Sequence, residues 1–194
     1  DLIFAFTACG GGGGESSEGG QAEPTASADR MGDSVDLMTT DAGTVKYIGI
    51  EKAVPELTED DNDDAYVFVF EFTNFKDDPA TVQDAFYIQF FQNGAEISNS
   101  GSWNSVAKEQ YDLINAQWNT ALKDGTVTYG ALVFQKDGSP VTIMASDRDN
   151  NDNRAMVEVN LSDGKASGGN EGGKNESSID VETALQGDWI LQEV

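Results

Sequence analysis

Residues Tyr66–Asn74 alternate between two chemically distinct sets of side chains, and this pattern constrains the fold more than any other part of the chain. Aromatic residues occupy positions 66, 68, 70 and 72, while Val67, Val69, Glu71 and Thr73 fall between them. A period of two places successive side chains on opposite faces of an extended strand, whereas a helix would spread the aromatic residues around its axis. The segment therefore predicts a β-strand with an aromatic face.

Shorter strands are predicted on both sides of this segment, separated by turn residues such as Asn93-Gly94 and Lys136-Asp137-Gly138. They are Val45–Ile50, Ala85–Gln92, Asn93–Ile97, Thr126–Gln135, Pro140–Ala145 and Arg154–Leu161. Strand and helix signals conflict in residues 105–122, where we expect one short helical turn and no more. Short strands with turns at these intervals are typical of an all-β chain that folds into an antiparallel β-sandwich.

Composition limits the number of domains and the classes of partner. With 194 residues, of which 38% are hydrophobic, the chain can build one core of about 100 to 150 residues and leave length for tails. It carries 35 acidic and 11 basic residues, and the net charge of -24 would repel nucleic acid. Residues 44–161 alone hold 20 acidic and 8 basic side chains. We therefore expect an acidic folded domain and no nucleic-acid partner.

Two residue counts exclude common kinds of chemistry. The chain contains no histidine and a single cysteine. Catalysis by a serine–histidine or cysteine–histidine pair is thus excluded within this sequence, as are an internal disulfide and a thiolate zinc cluster. We expect a protein that is not an enzyme.

An apolar run, Leu2–Ala8, ends in small residues directly before Cys9, and five glycines follow the cysteine. The run is too short to span a bilayer, and its composition is that of the end of a secretory signal peptide. The stretch Phe6-Thr7-Ala8-Cys9 resembles the lipobox of bacterial lipoproteins, although Phe6 replaces the usual leucine. This resemblance implies a diacylglyceryl group on Cys9 and cleavage after Ala8, and two acyl chains hold a domain firmly at a membrane.

Changes in composition along the chain predict its division into segments. They are the end of a truncated signal peptide (1–8), a flexible acidic stalk (9–43), the sandwich (44–161), a linker (162–178) and a terminal segment (179–194). Within the last segment, Leu185-Gln186-Gly187-Asp188-Trp189 resembles the opening of a lipocalin-like barrel. The alternative is a terminal strand that docks on the sandwich.

Three parts of the sandwich sequence carry a family resemblance: Phe70–Asn74, Phe86–Gly94 and Lys123–Thr126. They resemble the uncharacterised immunoglobulin-like domains of Firmicutes surface lipoproteins, which are similar to a secreted mycobacterial immunoprotective antigen. The resemblance covers about residues 44–161 and implies an immunoglobulin-like β-sandwich, while composition predicts disordered segments on both sides of it. It implies no reaction and no ligand, so no functional residue is carried over.

One predicted loop holds oxygen ligands at alternating positions. Asp147, Asp149, Asn151 and Asn153 follow the spacing of calcium-binding loops, and Glu158 stands at the twelfth position of that pattern. The sixth position lacks the glycine that the sharp turn of such loops requires, and strands flank the loop, so a polar β-turn is the alternative. Ca²⁺ is the one cofactor that the sequence suggests. Asp147 and Glu158 are also the carboxylate pair that a hydrolase would use.

Trp103, Tyr111 and Trp118 lie among Asn, Ser and Gln residues, a mixture that stacks sugars or peptides in binding proteins. The alternative is that these rings cover an edge of the sandwich. The sequence as a whole favours a non-enzymatic protein that a lipid anchors to the outer face of a bacterial cell membrane and that binds an unknown protein or glycan. A calcium-binding adhesion module and a carboxylate-based hydrolase remain the alternatives.

Overall fold

The computed structural model describes residues 30–58, 65–99 and 108–168, and this part of the chain forms two antiparallel β-sheets packed face to face. The strands are β1 (Val35–Thr40), β2 (Gly43–Lys52), β3 (Ala65–Asn74), β4 (Phe86–Gln92), β5 (Ala95–Glu96), β6 (Thr126–Phe134), β7 (Val141–Asp147), β8 (Arg154–Val159) and β9 (Ala166–Ser167). The α-helices are α1 (Val82–Ala85) and α2 (Lys108–Asn115), and Pro55–Leu57 and Ala116–Trp118 form 3-10 helices. The predicted all-β sandwich is confirmed.

The first sheet has the strand order β1-β2-β3-β6. Its centre is the alternating segment of the sequence, β3, which pairs along its length with β2 and β6, so that Phe70 lies opposite both Tyr47 and Tyr129. A register shift between Tyr47 and Gly49 interrupts the β2–β3 ladder. Because β3 has a partner strand on each side, its backbone polar groups are satisfied within the sheet.

The second sheet has the strand order β5-β4-β7-β8-β9. Its three longer strands bring Phe90, Ile143 and Val157 side by side in register. These side chains are buried against the first sheet, whereas alternate residues of β8, such as Met156, are exposed. A hairpin at Asn93-Gly94 joins β4 to β5, and a second hairpin joins β7 to β8, as the turn residues predicted.

The core between the sheets is built from aromatic rings. Phe68 and Phe70 meet Phe90 of the other sheet edge to face, with ring centroids 5.3 and 6.1 Å apart, and Tyr129 stacks on Phe70 at 5.3 Å. Phe72 meets Phe86 in the same way. Burial of one such side chain stabilises the fold by about 1.5 to 3 kcal/mol, and edge-to-face geometry adds a favourable term. The predicted aromatic face of β3 is confirmed at positions 68, 70 and 72.

Helix α2 covers the outer face of the first sheet. Val67 and Val69 of β3 point away from the main core and form a second hydrophobic cluster with Ile114 of α2. Gly130 permits this close packing, because a Cβ atom there would lie 3.2 Å from Leu113 Cγ and 2.7 Å from Val67 Cγ1. The expectation of a single helical turn was therefore wrong: burial of the two valines supports an eight-residue helix that local sequence preference alone leaves undecided.

The folded domain begins earlier than the predicted boundary at residue 44. Strand β1 lies within the segment interpreted as a stalk, and its Leu37 and Met38 are buried in the main core. Arg30 forms an ion pair with Glu51 at 3.0 Å, with both side chains largely buried. Two buried apolar residues in an otherwise polar stretch do not alter its average composition, yet pairing with β2 gives them a core to join.

The domain also extends into the predicted linker. Strand β9 pairs with β8, and the turn before it packs so closely on the N-terminal segment that a Cβ atom on Gly32 would lie 2.1 Å from Gly164 O. The buried Tyr47 hydroxyl donates a hydrogen bond to the same carbonyl oxygen at 2.7 Å, and burial raises the pKa of Tyr47. The described parts of both flanking segments, residues 30–43 and 162–168, thus belong to the folded domain.

Candidate functional site

Three loops meet at one end of the sandwich, where β3 and β7 end and β4, β6 and β8 begin. This loop end comprises residues 75–81, 116–125 and 148–153. The backbones of Ala80 and Ala121 exchange hydrogen bonds of 3.0 and 2.8 Å, so the first two loops pair like short strands. An ion pair of 3.6 Å between Lys76 and Asp149 joins the first loop to the third. The three loops therefore form one connected surface.

Asn74, the last residue of β3, organises the loop end from within. Its fully buried carboxamide nitrogen donates hydrogen bonds to the carbonyl oxygens of Asp78 at 2.9 Å and Ala121 at 3.0 Å. Its carboxamide oxygen accepts a hydrogen bond from the backbone N–H of Lys76 at 2.9 Å. The carboxamide nitrogen also donates a longer hydrogen bond of 3.3 Å to the carbonyl oxygen of Lys76. A buried side chain that binds four loop backbone groups fixes those loops against the sheet. Asn74 ends the Phe70–Asn74 stretch that carries the family resemblance, but nothing in the sequence indicates this supporting role.

Helix α1 connects the loop end to the second sheet. Both the backbone N–H and the hydroxyl of Thr81 donate hydrogen bonds of 2.8 Å to the carboxylate of Asp84. These two bonds, the backbone one first, lower the pKa of Asp84. The guanidinium of Arg148 donates a hydrogen bond of 2.5 Å to the carbonyl oxygen of Gln83 and lies 4.9 Å from the ring centroid of Tyr87. The start of β4 is thus fixed by the hydrogen bonds at the N-terminus of α1 and by the contacts of Arg148.

Large apolar side chains are exposed on these fixed loops. Phe75, Trp118 and Leu122 have exposed fractions of 39%, 63% and 70%. Scattered exposed hydrophobic residues are normal, so these three make the loop end a candidate site only because they lie on loops that are hydrogen-bonded to each other and to Asn74. The arrangement can bind an apolar or aromatic group without prior ordering of the loops.

The two predicted ring residues that the structure describes, Tyr111 and Trp118, do not meet on this surface. Trp118 lies at the loop end, whereas Tyr111 is partly buried on α2 and packs against the cluster that covers the first sheet. Trp103 lies outside the described residues. Leu122 and Phe75 were not singled out from the sequence, since a single exposed apolar residue has no periodic pattern that would identify it.

Of the predicted calcium ligands, Glu158 is separated from the other four, which lie at the β7–β8 turn. Asp147 Oδ1 accepts a hydrogen bond of 2.9 Å from the N–H of Asp149, and the carbonyl oxygen of Asn151 accepts one of 2.5 Å from Arg154. Asn153 closes the β7–β8 turn through its backbone carbonyl. Glu158 lies four residues beyond Arg154 along β8, a distance of about 13 Å.

Asp147 and Glu158 also point to opposite faces of the second sheet, because Asp147 shares the parity of the buried Ile143 and Glu158 that of the exposed Met156. Across residues 30–58, 65–99 and 108–168, no group of three or more His, Cys, Asp or Glu residues is placed to hold a metal ion. The geometry instead matches the polar β-turn that was the alternative.

The opposite end of the sandwich, residues 93–94 and 135–140, uses the same kind of internal support. The buried carboxamide of Gln92 donates hydrogen bonds to the carbonyl oxygens of Asp137 at 2.7 Å and Ser139 at 2.8 Å. It accepts one of 2.6 Å from the N–H of Lys136. Hydrogen bonds from Ser139, the hydroxyl first, lower the pKa of Asp137. Among the described residues, no large hydrophobic side chain is exposed at this end.

The predicted signal-peptide end, Cys9 and the lipocalin-like segment lie outside the described residues. None of the helices that are described is long and apolar enough to cross a membrane.

Comparison with known proteins places the chain in a family without adding a reaction. No curated protein matches it. A crystal structure described as that of a "putative lipoprotein (ycdA)" from Bacillus subtilis subsp. subtilis str. 168 is similar over 66% of this chain, with 18% identity and a TM-score of 0.47, and the chain spans 38% of that structure's length. The family model "Domain of unknown function (DUF5067)" matches residues 16–147. Because this match covers more than half of the chain, the chain belongs to the DUF5067 family.

Proposed function

We propose that the protein is a non-enzymatic, lipid-anchored component of the bacterial cell envelope, whose immunoglobulin-like sandwich binds a protein or glycan through the loop end. Anchoring rests on the lipobox-like Phe6-Thr7-Ala8-Cys9 stretch, which places Cys9 ahead of the folded domain. The outer face of the membrane is the location that this processing would give.

The observation that carries the binding proposal is the exposure of Trp118, Leu122 and Phe75 on loops that Asn74 fixes from within. Tryptophan at the centre of an interface commonly contributes more to binding than its neighbours, because it buries a large rigid area at little entropic cost. The acidic body would repel anionic partners at long range, so the partner should be neutral or basic.

Anchoring is tested by mass spectrometry of the protein from its native membrane. The expected N-terminus is Cys9 with a diacylglyceryl thioether, and Cys9→Ser should release the protein into the medium. An unmodified Cys9 in the native membrane would contradict the anchor.

Binding is tested with the full chain carrying Cys9→Ser and a fluorescent label, titrated against isolated cell-envelope fragments. Trp118→Ser combined with Leu122→Ser should weaken binding at least tenfold, an effect of about 1.4 kcal/mol or more. The free energy of unfolding should change by less than about 0.5 kcal/mol, because both side chains are exposed. The matched control, Lys136→Ser at the opposite end, should bind as the unaltered protein does. Equal binding by all three proteins would contradict the proposal.

A further inference from the structure

No described helix or strand packs on the outer face of the second sheet, whereas α2 covers the outer face of the first. Two residues of its central strand, Met144 and Ser146, are nevertheless buried between their neighbours, so the exposed part of the face lies on β4 and β8. The side chains of this face form three rows across β4, β7 and β8, which the strand register defines. The rows are Tyr87, Ser146 and Arg154; then Gln89, Met144 and Met156; then Phe91, Thr142 and Glu158. Tyr87 and Met156 are 43% and 55% exposed.

The first row of one copy is complementary to the third row of a second copy. If a second copy of the sheet is laid face to face by a two-fold rotation about the middle row, the first row of each copy faces the third row of the other. Arg154 then faces Glu158, and Tyr87 faces Phe91. Met156, the exposed methionine of the middle row, faces its own counterpart. A two-fold interface requires such self-complementarity.

We propose that this face associates with a second copy of the same chain. Charge supports this occupant: Arg154 forms no ion pair within the described residues, and its one hydrogen bond, to the carbonyl oxygen of Asn151, leaves other guanidinium N–H groups free to donate. Glu158 is exposed on the same strand. They lie about 13 Å apart along β8, too far to neutralise each other within one copy. Met156, the exposed methionine of the middle row, provides an adaptable apolar contact, whereas Met144 is buried beside it.

The size of the face determines the strength of the association. Three strands of this length present roughly 300 Å² per copy, from the strand spacing and the rise per residue. Stable complexes bury about 800 Å² per partner, so the dimer is weak and transient. Its two copies also repel each other through their net charge, which ionic strength of about 0.15 M screens beyond about 8 Å.

Sedimentation equilibrium of the full chain with Cys9→Ser, which prevents disulfide-linked dimers, tests the proposal at concentrations up to about 1 mM and about 0.15 M salt. The chain should show a reversible monomer–dimer equilibrium. Arg154→Glu should weaken it at least tenfold because two carboxylates would then face each other, and Glu158→Arg should do the same because two guanidinium groups would.

The charge-swapped double variant, Arg154→Glu with Glu158→Arg, should restore dimerisation to within about threefold of the unaltered chain, because each substituted residue again faces its opposite charge. A merely structural role for either residue would not give this rescue. Lys136→Glu, the matched charge change at the opposite end of the sandwich, should have no effect. A chain that stays monomeric at every concentration, single variants that dimerise normally, or a double variant without rescue would each overturn the proposal.

Discussion

The two ends of the sandwich are built alike but present different surfaces. At each end a fully buried carboxamide forms hydrogen bonds with backbone groups of the adjoining loops, four at Asn74 and three at Gln92. Large apolar side chains are exposed at the loop end, and among the described residues none is exposed at the opposite end. Because the loops are fixed at both ends, a rigid loop is not in itself a sign of binding. The exposed apolar residues on the rigid support distinguish the candidate site.

The largest effects are expected from removal of the two carboxamides. Asn74→Ala and Gln92→Ala should each lower the free energy of unfolding by about 2 to 4 kcal/mol, because each removes at least three hydrogen bonds between a buried carboxamide and the loop backbone. Urea unfolding of both variants measures this loss. Binding to envelope fragments should then separate them, since Asn74→Ala also releases the loop end. If Gln92→Ala weakened binding as much as Asn74→Ala at equal stability, the assignment of the site to one end would be wrong.

A smaller difference in stability between the two ends is expected from substitutions in their turns. Each end has a residue with positive φ before a glycine: Asp124, with φ of 60°, and Asn93, with φ of 53°. Within the described residues the Asp124 side chain makes no hydrogen bond, whereas Asn93 donates one of 2.8 Å to Asp137 and accepts one of 3.2 Å from Ser139.

Asp124→Gly should therefore leave stability unchanged or raise it by up to about 1 kcal/mol, because glycine relieves the left-handed conformation. Asn93→Gly should lower stability by up to about 1 kcal/mol, since the loss of its side-chain bonds outweighs the same relief. Thermal unfolding of both variants under identical conditions measures the difference. A larger loss for Asp124→Gly than for Asn93→Gly would contradict this account.

The smallest effect is the pH dependence that Asp84 and Asp137 contribute, one at each end. Hydrogen bonds from Thr81 and Ser139 hold the pKa of these carboxyl groups below the ordinary value. A lowered pKa in the folded state means that the stabilisation is present above about pH 4 and is lost as the pH falls through the lowered value.

Unfolding measured from about pH 5 to pH 2 should show a shallower loss of stability for Asp84→Asn and Asp137→Asn than for the unaltered chain. Both carboxylates are exposed, so the change should be small, and similar at the two ends. An unchanged pH profile in both variants would show that these hydrogen bonds do not persist in solution.

The sequence was sufficient to predict the elements whose signals are local. The aromatic alternation of β3 and the turn at Asn93-Gly94 depend on neighbouring residues and were predicted correctly. Strand β1 was missed because two buried residues, Leu37 and Met38, do not raise the average hydrophobicity of a polar segment. The length of α2 depends on Val67 and Val69, which are distant in sequence.

The candidate site was only partly predictable. Trp118 stood out as a tryptophan among polar residues, but Leu122 and the supporting role of Asn74 depend on how three loops meet in space. Alternating oxygen ligands suggested calcium at Asp147–Asn153, yet spacing alone did not reveal that β8 carries Glu158 away from the loop. Local sequence patterns predict individual strands and turns better than they predict which loops lie next to each other in the folded domain.

Site-specific photo-crosslinking in the native envelope tests the central claim most directly. A photoreactive amino acid in place of Trp118 should give a discrete crosslinked product, and the same amino acid in place of Lys136 at the opposite end should give none. Asn74→Ala should abolish the product from position 118, because the loop that carries it would no longer be fixed. Absence of a product from position 118, or the same product from both positions, would contradict the conclusion that the loop end is the binding surface.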